Sequence, residues 1–458
     1  MKQTELLGTE NITKLMLRFS VPAIVGMMVN ALYNMVDRIF VGNGVGSLAL
    51  AGITVAFPML MIIMAFAVLL GIGASTLISI RLGQQKDQEA EAIMGNAFVM
   101  MFVFSVLITI AGQFLMEPML MAFGASATAL PYAREYASVV LWGTMFFMFG
   151  MGMNNFIRAE GNPRMAMLTM VVGAFANIAL DALFIFVFNW GIRGAAVATV
   201  ISKGISAALV LYYFLNGRGH LKLSLSKIRL NRSYIFGILT LGLAPFAMNF
   251  SASLLNVVLN NSLRAYGGDL ALSAMGIVSS VATFFLMPII GITQGIQPIV
   301  GYNYGAQNFG RVKDALFRGI VAATGICLLG YLLINAFPIQ LVSLFNRDDA
   351  ELVQFGARAM RLFLLAMPVI GFQAVGAIYF QAVGRPKHAA FLSLSRQVLI
   401  LIPALLILPR FFGIDGVFYA GPVADLTSAL LTAVWVFIEV RKLNARSKTM
   451  SELSAAVE

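Results

Sequence analysis

Apolar stretches long enough to cross a lipid bilayer recur from one end of this chain to the other, and they constrain its fold more than any motif. A helix rises 1.5 Å per residue, so about 20 residues cross the roughly 30 Å of hydrocarbon. Spans are expected near residues 14–41, 50–82, 92–115, 131–158, 164–189, 193–215, 233–265, 270–302, 314–345, 351–382, 387–411 and 416–441. The 458 residues are 60% hydrophobic and 11% charged, whereas soluble domains run at about 45–50% and about 25%. No aqueous fold could bury that excess, so the bilayer is the solvent. The expected class is all-α integral membrane, with twelve transmembrane helices in two pseudo-symmetric six-helix bundles. Several spans exceed an upright helix, and tilt, kinks or extension beyond the hydrocarbon must absorb the surplus. The first span opens on Ile12-Thr13-Lys14-Leu15, without the short apolar core and small-residue site of a secretory signal, so no cleaved targeting segment is expected.

A net charge of +11 could suggest a nucleic-acid partner, but its distribution argues otherwise. With the N-terminus inside, the termini and even-numbered loops carry most of the 31 Lys and Arg residues, among them Arg218, Lys222, Lys227, Arg229 and Arg232 in one loop. That asymmetry is the positive-inside pattern. It puts a multi-pass protein in the cell's inner (plasma) membrane with both termini cytoplasmic, and gives nucleic acid no support. Cys327 is the lone cysteine, His220 and His388 fall in loops, and no Gly-rich phosphate loop or metal-ligand spacing occurs. Neither enzyme nor cofactor is indicated, and any work the chain does would draw its energy from an ion gradient.

Shifting the chain by 222 residues brings Asn34 onto Asn256, Leu48-Ala49-Leu50 onto Leu270-Ala271-Leu272, Gly73 onto Gly295 and Gly191-Ile192 onto Gly413-Ile414. One residue more aligns Pro22 with Pro245 and Gly161-Asn162-Pro163-Arg164 with Gly384-Arg385-Pro386-Lys387. The division read from this repeat is a first bundle at 1–215, a basic cytoplasmic linker at 216–232, a second bundle at 233–445 and a tail at 446–458. Each half has an even number of spans, so the two are parallel repeats, an architecture that suits alternating access.

An Asp at the centre of a spanning helix costs roughly 2.5–3.5 kcal/mol on insertion scales, so each intramembrane charge is a candidate site. Asp37 lies near the outer end of span 1. Asp181 lies about two turns from the outer end of span 5, with Asn177 one turn deeper on the same face. Spans 4 and 6 enter from outside and place Tyr136 and Thr199 at about that depth. Two carboxylates this close in low dielectric would share a proton or bind a monovalent cation, H+ or Na+. The plainer alternative has Asp37 reaching the interface beside Arg38 and Asp181 hydrogen-bonded structurally.

Other polar residues are candidates for a substrate cleft. Asn30, Tyr33 and Asn34 ride on span 1 and Asn154 on span 4; Asn249, Ser253, Asn256 and Asn260 form a stripe on span 7. These either contact substrate or hydrogen-bond between helices. Gln294 and Gln297 either face the same cleft or satisfy backbone freed by Pro298. Lys203, one turn beyond Thr199, is either a counter-charge to the acids or a locally paired lysine, and Asp425 is its repeat equivalent. Pro22 is a candidate hinge in span 1. The repeat equivalents of Asp37 and Asp181 are Leu259 and Ala404, so the second half has no matching acid pair.

Asn177 to Phe186 (NIALDALFIF), followed by Gly194-Ala195-Ala196 and Ala198-Thr199, resembles the multidrug and toxic compound extrusion (MATE) transporters. So do Gln297-Pro298 with Gly301-Tyr302-Asn303-Tyr304-Gly305-Ala306, and Gln381-Ala382-Val383-Gly384-Arg385-Pro386. The likeness is to the bacterial branch of DNA-damage-inducible and staphylococcal exporters. It implies export of cationic lipophilic compounds by antiport with H+ or Na+, and it implies a cation site at Asp37, Tyr136, Asn177, Asp181 and Thr199; the chain is expected to act as a monomer. An exporter or flippase for one endogenous metabolite or lipid-linked precursor is the alternative. A channel or membrane enzyme is disfavoured.

Overall fold

The computed structural model describes residues 3–455 apart from 124, 126, 218, 225–228 and 346–349. Its described residues are overwhelmingly helical, as a chain that must satisfy its backbone in lipid requires. The spans are α1 (Ile12–Gly44), α2 (Gly52–Gly83), α3 (Asp87–Ala122), α4 (Leu130–Trp142 then Thr144–Ala159), α5 (Pro163–Val187) and α6 (Gly191–Leu215). The second half supplies α7 (Arg232–Gly268), α8 (Leu270–Gly305), α9 (Phe309–Ala336), α10 (Ala350–Phe363 then Met367–Ala382), α11 (Pro386–Phe412) and α12 (Ile414–Arg446). The two broken spans are repeat partners: α4 bends by 60° and α10 by 47°. Gly268 separates α7 from α8 at φ 62°, ψ −156°, a conformation glycine reaches without the clash a Cβ would bring. The span expected at 314–345 stops earlier. Phe337 leaves helical geometry before Pro338, which disfavours the α region in its predecessor, and a separate short helix, Pro338–Ser343, follows.

Packing divides the chain into two units: Met1–Thr9 with Val25–Phe246, and Glu10–Ile24 with Ala247–Glu458. These limits differ from the sequence division. The described part of the basic segment 216–232 belongs to the first unit, Arg218 and Lys227 lying outside the described residues, and both α1 and α7 are shared, changing unit just after Pro22 and Pro245. A proline inside a helix removes a hydrogen bond and loosens the axis, which suits a change of neighbours.

Glycines explain why each stray half-helix stays where it does. In the first unit, a Cβ on Gly242 of α7 would lie 1.8 Å from the Leu69 carbonyl oxygen, and one on Gly73 of α2 would lie 2.1 Å from that of Ile238. In the second, a Cβ on Gly295 of α8 would lie 2.8 Å from the Ser20 backbone nitrogen. Only glycine permits these crossings, and Gly73 and Gly295 are the pair that the repeat aligns.

Residues 220–222 and Asn231 of this segment are clasped within the first unit. Glu160, at the end of α4 and 2% exposed, accepts the Leu221 N–H at 3.0 Å and the Tyr213 hydroxyl. Glu91 accepts the Lys222 N–H at 2.9 Å, His220 Nε2 meets Asp87 at 2.8 Å, and Asn96 takes the Asn231 N–H at 2.8 Å. Burial pushes the Glu160 carboxyl up to about 7.

Candidate functional site

Asp37, on the stretch of α1 that packs in the first unit, is seven residues from the helix end at Gly44, or about 10 Å along the axis. Asp181 sits in the last α-helical turn of α5, immediately before a π-helical segment at Leu183–Val187. Such widened turns re-aim side chains and are frequent at functional sites. The small residues of α6 allow it to close on that segment, since a Cβ on Gly194 would already touch Phe184 at 3.1 Å.

The result is a convergence of the five side chains expected from sequence. The Asp37 and Asp181 carboxyls lie within hydrogen-bonding reach of each other. Two carboxylates are both acceptors, so that contact is a hydrogen bond only when one of them carries a proton. Tyr136 of α4 faces both acids and shares a hydrogen bond with Thr199 of α6. Asn177 lies one turn from Asp181 on α5, and both ends of its amide, both Asp181 oxygens and Asp37 Oδ1 are buried with no hydrogen-bond donor or acceptor among the described residues. All five side chains are buried, Asp181 completely. Tyr136 belongs to a buried apolar cluster that includes Val41, Ile53, Ile63, Val140, Ile185 and Ile192, which keeps the local dielectric low. Neither acid makes an ion pair among the described residues, although Arg38 is Asp37's chain neighbour.

This arrangement can do two things chemically. It can hold a proton between two carboxyls that resist double ionisation. Alternatively, two carboxylates, an amide carbonyl, a phenol and a hydroxyl offer the all-oxygen surroundings that a hard monovalent cation needs.

The remaining expected residues divide. Tyr33 is buried one turn below Asp37, facing inward. Asn34 and Asn256 are exposed and donate to their own helices, at the carbonyls of Asn30 (2.7 Å) and Ala252 (2.9 Å). Asn249 and Asn260 are exposed and Asn30 half-buried, while the Ser253 side chain lies outside the described residues. Asn154 donates to the Ala166 carbonyl and the Thr169 hydroxyl, at 2.8 and 2.7 Å, so its amide nitrogen ties α4 to α5. Gln294 is half-buried and Gln297 buried, both on α8 in the second unit. Lys203 donates to the Tyr33 hydroxyl at 2.8 Å and pairs with neither acid.

Three residues escaped the sequence reading. Arg396, in a π-helical segment of α11, pairs with the buried Asp425 of α12; Glu160 clasps the inter-repeat segment; Phe147 packs beside Lys203. Arg396 was visible as a charge deep in a span. Glu160 reads as an ordinary loop acid, and Phe147 as one of 36 phenylalanines.

The MatE family signature matches residues 22–183 and again 243–406, one copy in each half. Multidrug export protein MepA of Staphylococcus aureus (strain MRSA252) is 26% identical over 443 residues, 96% of both chains. The solved structure of the MATE multidrug transporter DinF-BH superposes with a TM-score of 0.88 at 42% identity, covering 95% of this chain and 98% of that one. An outward-facing multidrug resistance MATE family transporter of the MOP superfamily superposes with a TM-score of 0.91 at 26% identity, covering 97% and 99%.

Proposed function

The chain belongs to the MatE family, a family of membrane transporters and not of enzymes, and on that premise we propose that it exports cationic, lipophilic compounds across the plasma membrane by antiport with H+ or Na+. The single observation that carries the coupling is the Asp37 and Asp181 pair, buried, within reach of each other and without an ion-pair partner among the described residues. A group that must ionise in low dielectric needs a proton or cation to neutralise it, and a change in access to either side converts that need into coupling. Asn177, Tyr136 and Thr199 complete the oxygen set. MepA and DinF-BH, named as multidrug proteins, support the substrate range.

The face of the membrane at which α1 begins is the cytoplasmic one in this reading, since basic residues concentrate there. The coupling site then lies in the outer half of the membrane, and alternating access exposes it to each side in turn. Pro22, where α1 changes unit, is the hinge this reading assigns. The protein works as a monomer whose other partner is the bilayer, without a cofactor.

The test is efflux of a fluorescent lipophilic cation from liposomes carrying the purified chain, under an imposed proton gradient and then a sodium gradient. Transport under one gradient that disappears in Asp37→Asn identifies the coupling ion. Equal transport in Asp37→Asn and Asp181→Asn would refute the site.

A further inference from the structure

Lys203 is an intramembrane cation that makes no ion pair with an acid among the described residues. A lysine in a span is costly unless something replaces its water. Here the replacement is aromatic. Besides the Tyr33 hydroxyl, its ammonium lies 4.7 Å from the centre of the Tyr33 ring and 5.6 Å from that of Phe147. Ring faces at such distances attract cations through their quadrupole, more strongly when desolvated.

Three helices build this arrangement, and small residues bring them together. The bend in α4 falls at Gly143, four residues before Phe147, where a Cβ would lie 2.6 Å from Val200 of α6. Gly204, beside Lys203, would present a Cβ to the Phe146 ring at 3.8 Å. A π-helical segment, Met148–Gly152, begins immediately after Phe147. Tyr33 is one turn from Asp37 and Lys203 one turn from Thr199, so the aromatic layer lies directly below the acid layer in the same unit.

Two ring faces and a phenol oxygen are the elements that recognise an organic cation. We propose that Tyr33 and Phe147 form an organic-cation subsite whose built-in occupant is Lys203, and that substrate cations compete with this lysine for it. Lys203 is then a specificity-determining residue: a cation enters only when it gains more from the rings than the tethered ammonium does. A delocalised, weakly hydrated cation meets that condition, and a strongly hydrated one does not. The proposal rests on the reading that this chain handles lipophilic cations.

Equilibrium binding of tetraphenylphosphonium to the purified full chain tests it. Removing the occupant in Lys203→Met is expected to tighten binding about tenfold, within the range of a desolvated cation–aromatic contact. Lys203→Arg, which keeps a cation over the rings, is expected to bind as the unaltered protein does, and adding Phe147→Leu to Lys203→Met is expected to cancel the gain. Unchanged or weaker binding in a Lys203→Met protein that elutes and melts normally overturns the proposal. If Lys203→Met does not fold, Phe147→Leu alone reads the same subsite: binding several-fold weaker supports it, and unchanged binding overturns it. Absence of binding in every variant also overturns it. A chain that binds as expected but moves no cation against an H+ or Na+ gradient would sink the proposed function and leave the subsite standing.

Discussion

The two units have six-span halves of common pattern and treat their buried acids in opposite ways. In the first, Asp37 and Asp181 face each other with no arginine or lysine paired to them among the described residues. In the second, Asp425 is held by Arg396 of the adjacent α11. The same contrast recurs at the helix ends, where Glu160 is buried against a tyrosine and backbone amides, whereas Glu439 is buried against Arg385 and Tyr379. An acid with a resident cation is neutral as built and has no vacancy for a travelling one. An acid without one must acquire its cation from solution. The first unit thus leaves its buried acid pair without a resident cation, as the proposed coupling requires, and the second gives its buried acid one.

The sharpest way to break that comparison is to neutralise one acid in each unit. Asp37→Asn or Asp181→Asn is expected to reduce gradient-driven efflux to the level of empty liposomes while the protein still elutes as a single folded species. Asp425→Asn is expected to act on stability instead, because it strands Arg396. Breaking a buried pair costs about 3–5 kcal/mol, whereas replacing both partners by apolar residues is often neutral. A thermal melt should therefore fall sharply for Asp425→Asn and recover in Asp425→Leu with Arg396→Leu, and that double variant should still transport. Transport lost in the double variant would mean that the second unit's pair also exchanges a cation.

Glu160 offers a subtler test, visible in pH. A carboxyl raised to about 7 binds its proton more tightly in the folded chain than in the unfolded one. Its contribution to stability is therefore full below the ordinary carboxylate range and declines as pH rises from about 4.5 through about 7. Melting temperature measured across that window should fall less steeply in Glu160→Gln than in the unaltered protein. Identical slopes would show that the clasp does not titrate there. The smallest expected effect is at Thr199. Thr199→Ala removes one oxygen of the site and one hydrogen bond to Tyr136, a loss of about 1 kcal/mol, so the concentration of coupling ion for half-maximal transport should rise roughly five-fold.

Much of this was legible in the sequence because the bilayer imposes simple rules. The number of spans and the repeat follow from hydropathy and 1.5 Å per residue, and the same rise brings Asp37, Tyr136, Asn177, Asp181 and Thr199 to one level within the first unit. Neighbours across helices were harder, since depth fixes height and not azimuth. Asn154 has the right height but turns its amide nitrogen to α5, and Asn34 and Asn256 cap carbonyls of their own helices. For the same reason Lys203 reads equally well as a counter-charge until its contact with Tyr33 is seen. The unit limits were illegible for another reason. A repeat in sequence says where a helix begins, and only close backbone crossings at Gly73, Gly242 and Gly295 say which unit holds it.

The division of α1 and α7 between units also bears on how the chain is made. Glu10–Ile24 leaves the ribosome well before its packing partners on α8, which are translated only after the whole first repeat. The first unit in turn stays incomplete until 232–246, the opening of the second repeat, has been synthesised. Neither half can finish folding on its own product, so insertion into the membrane and final packing are separate stages, and Glu10–Ile24 must wait for the second repeat to find its place.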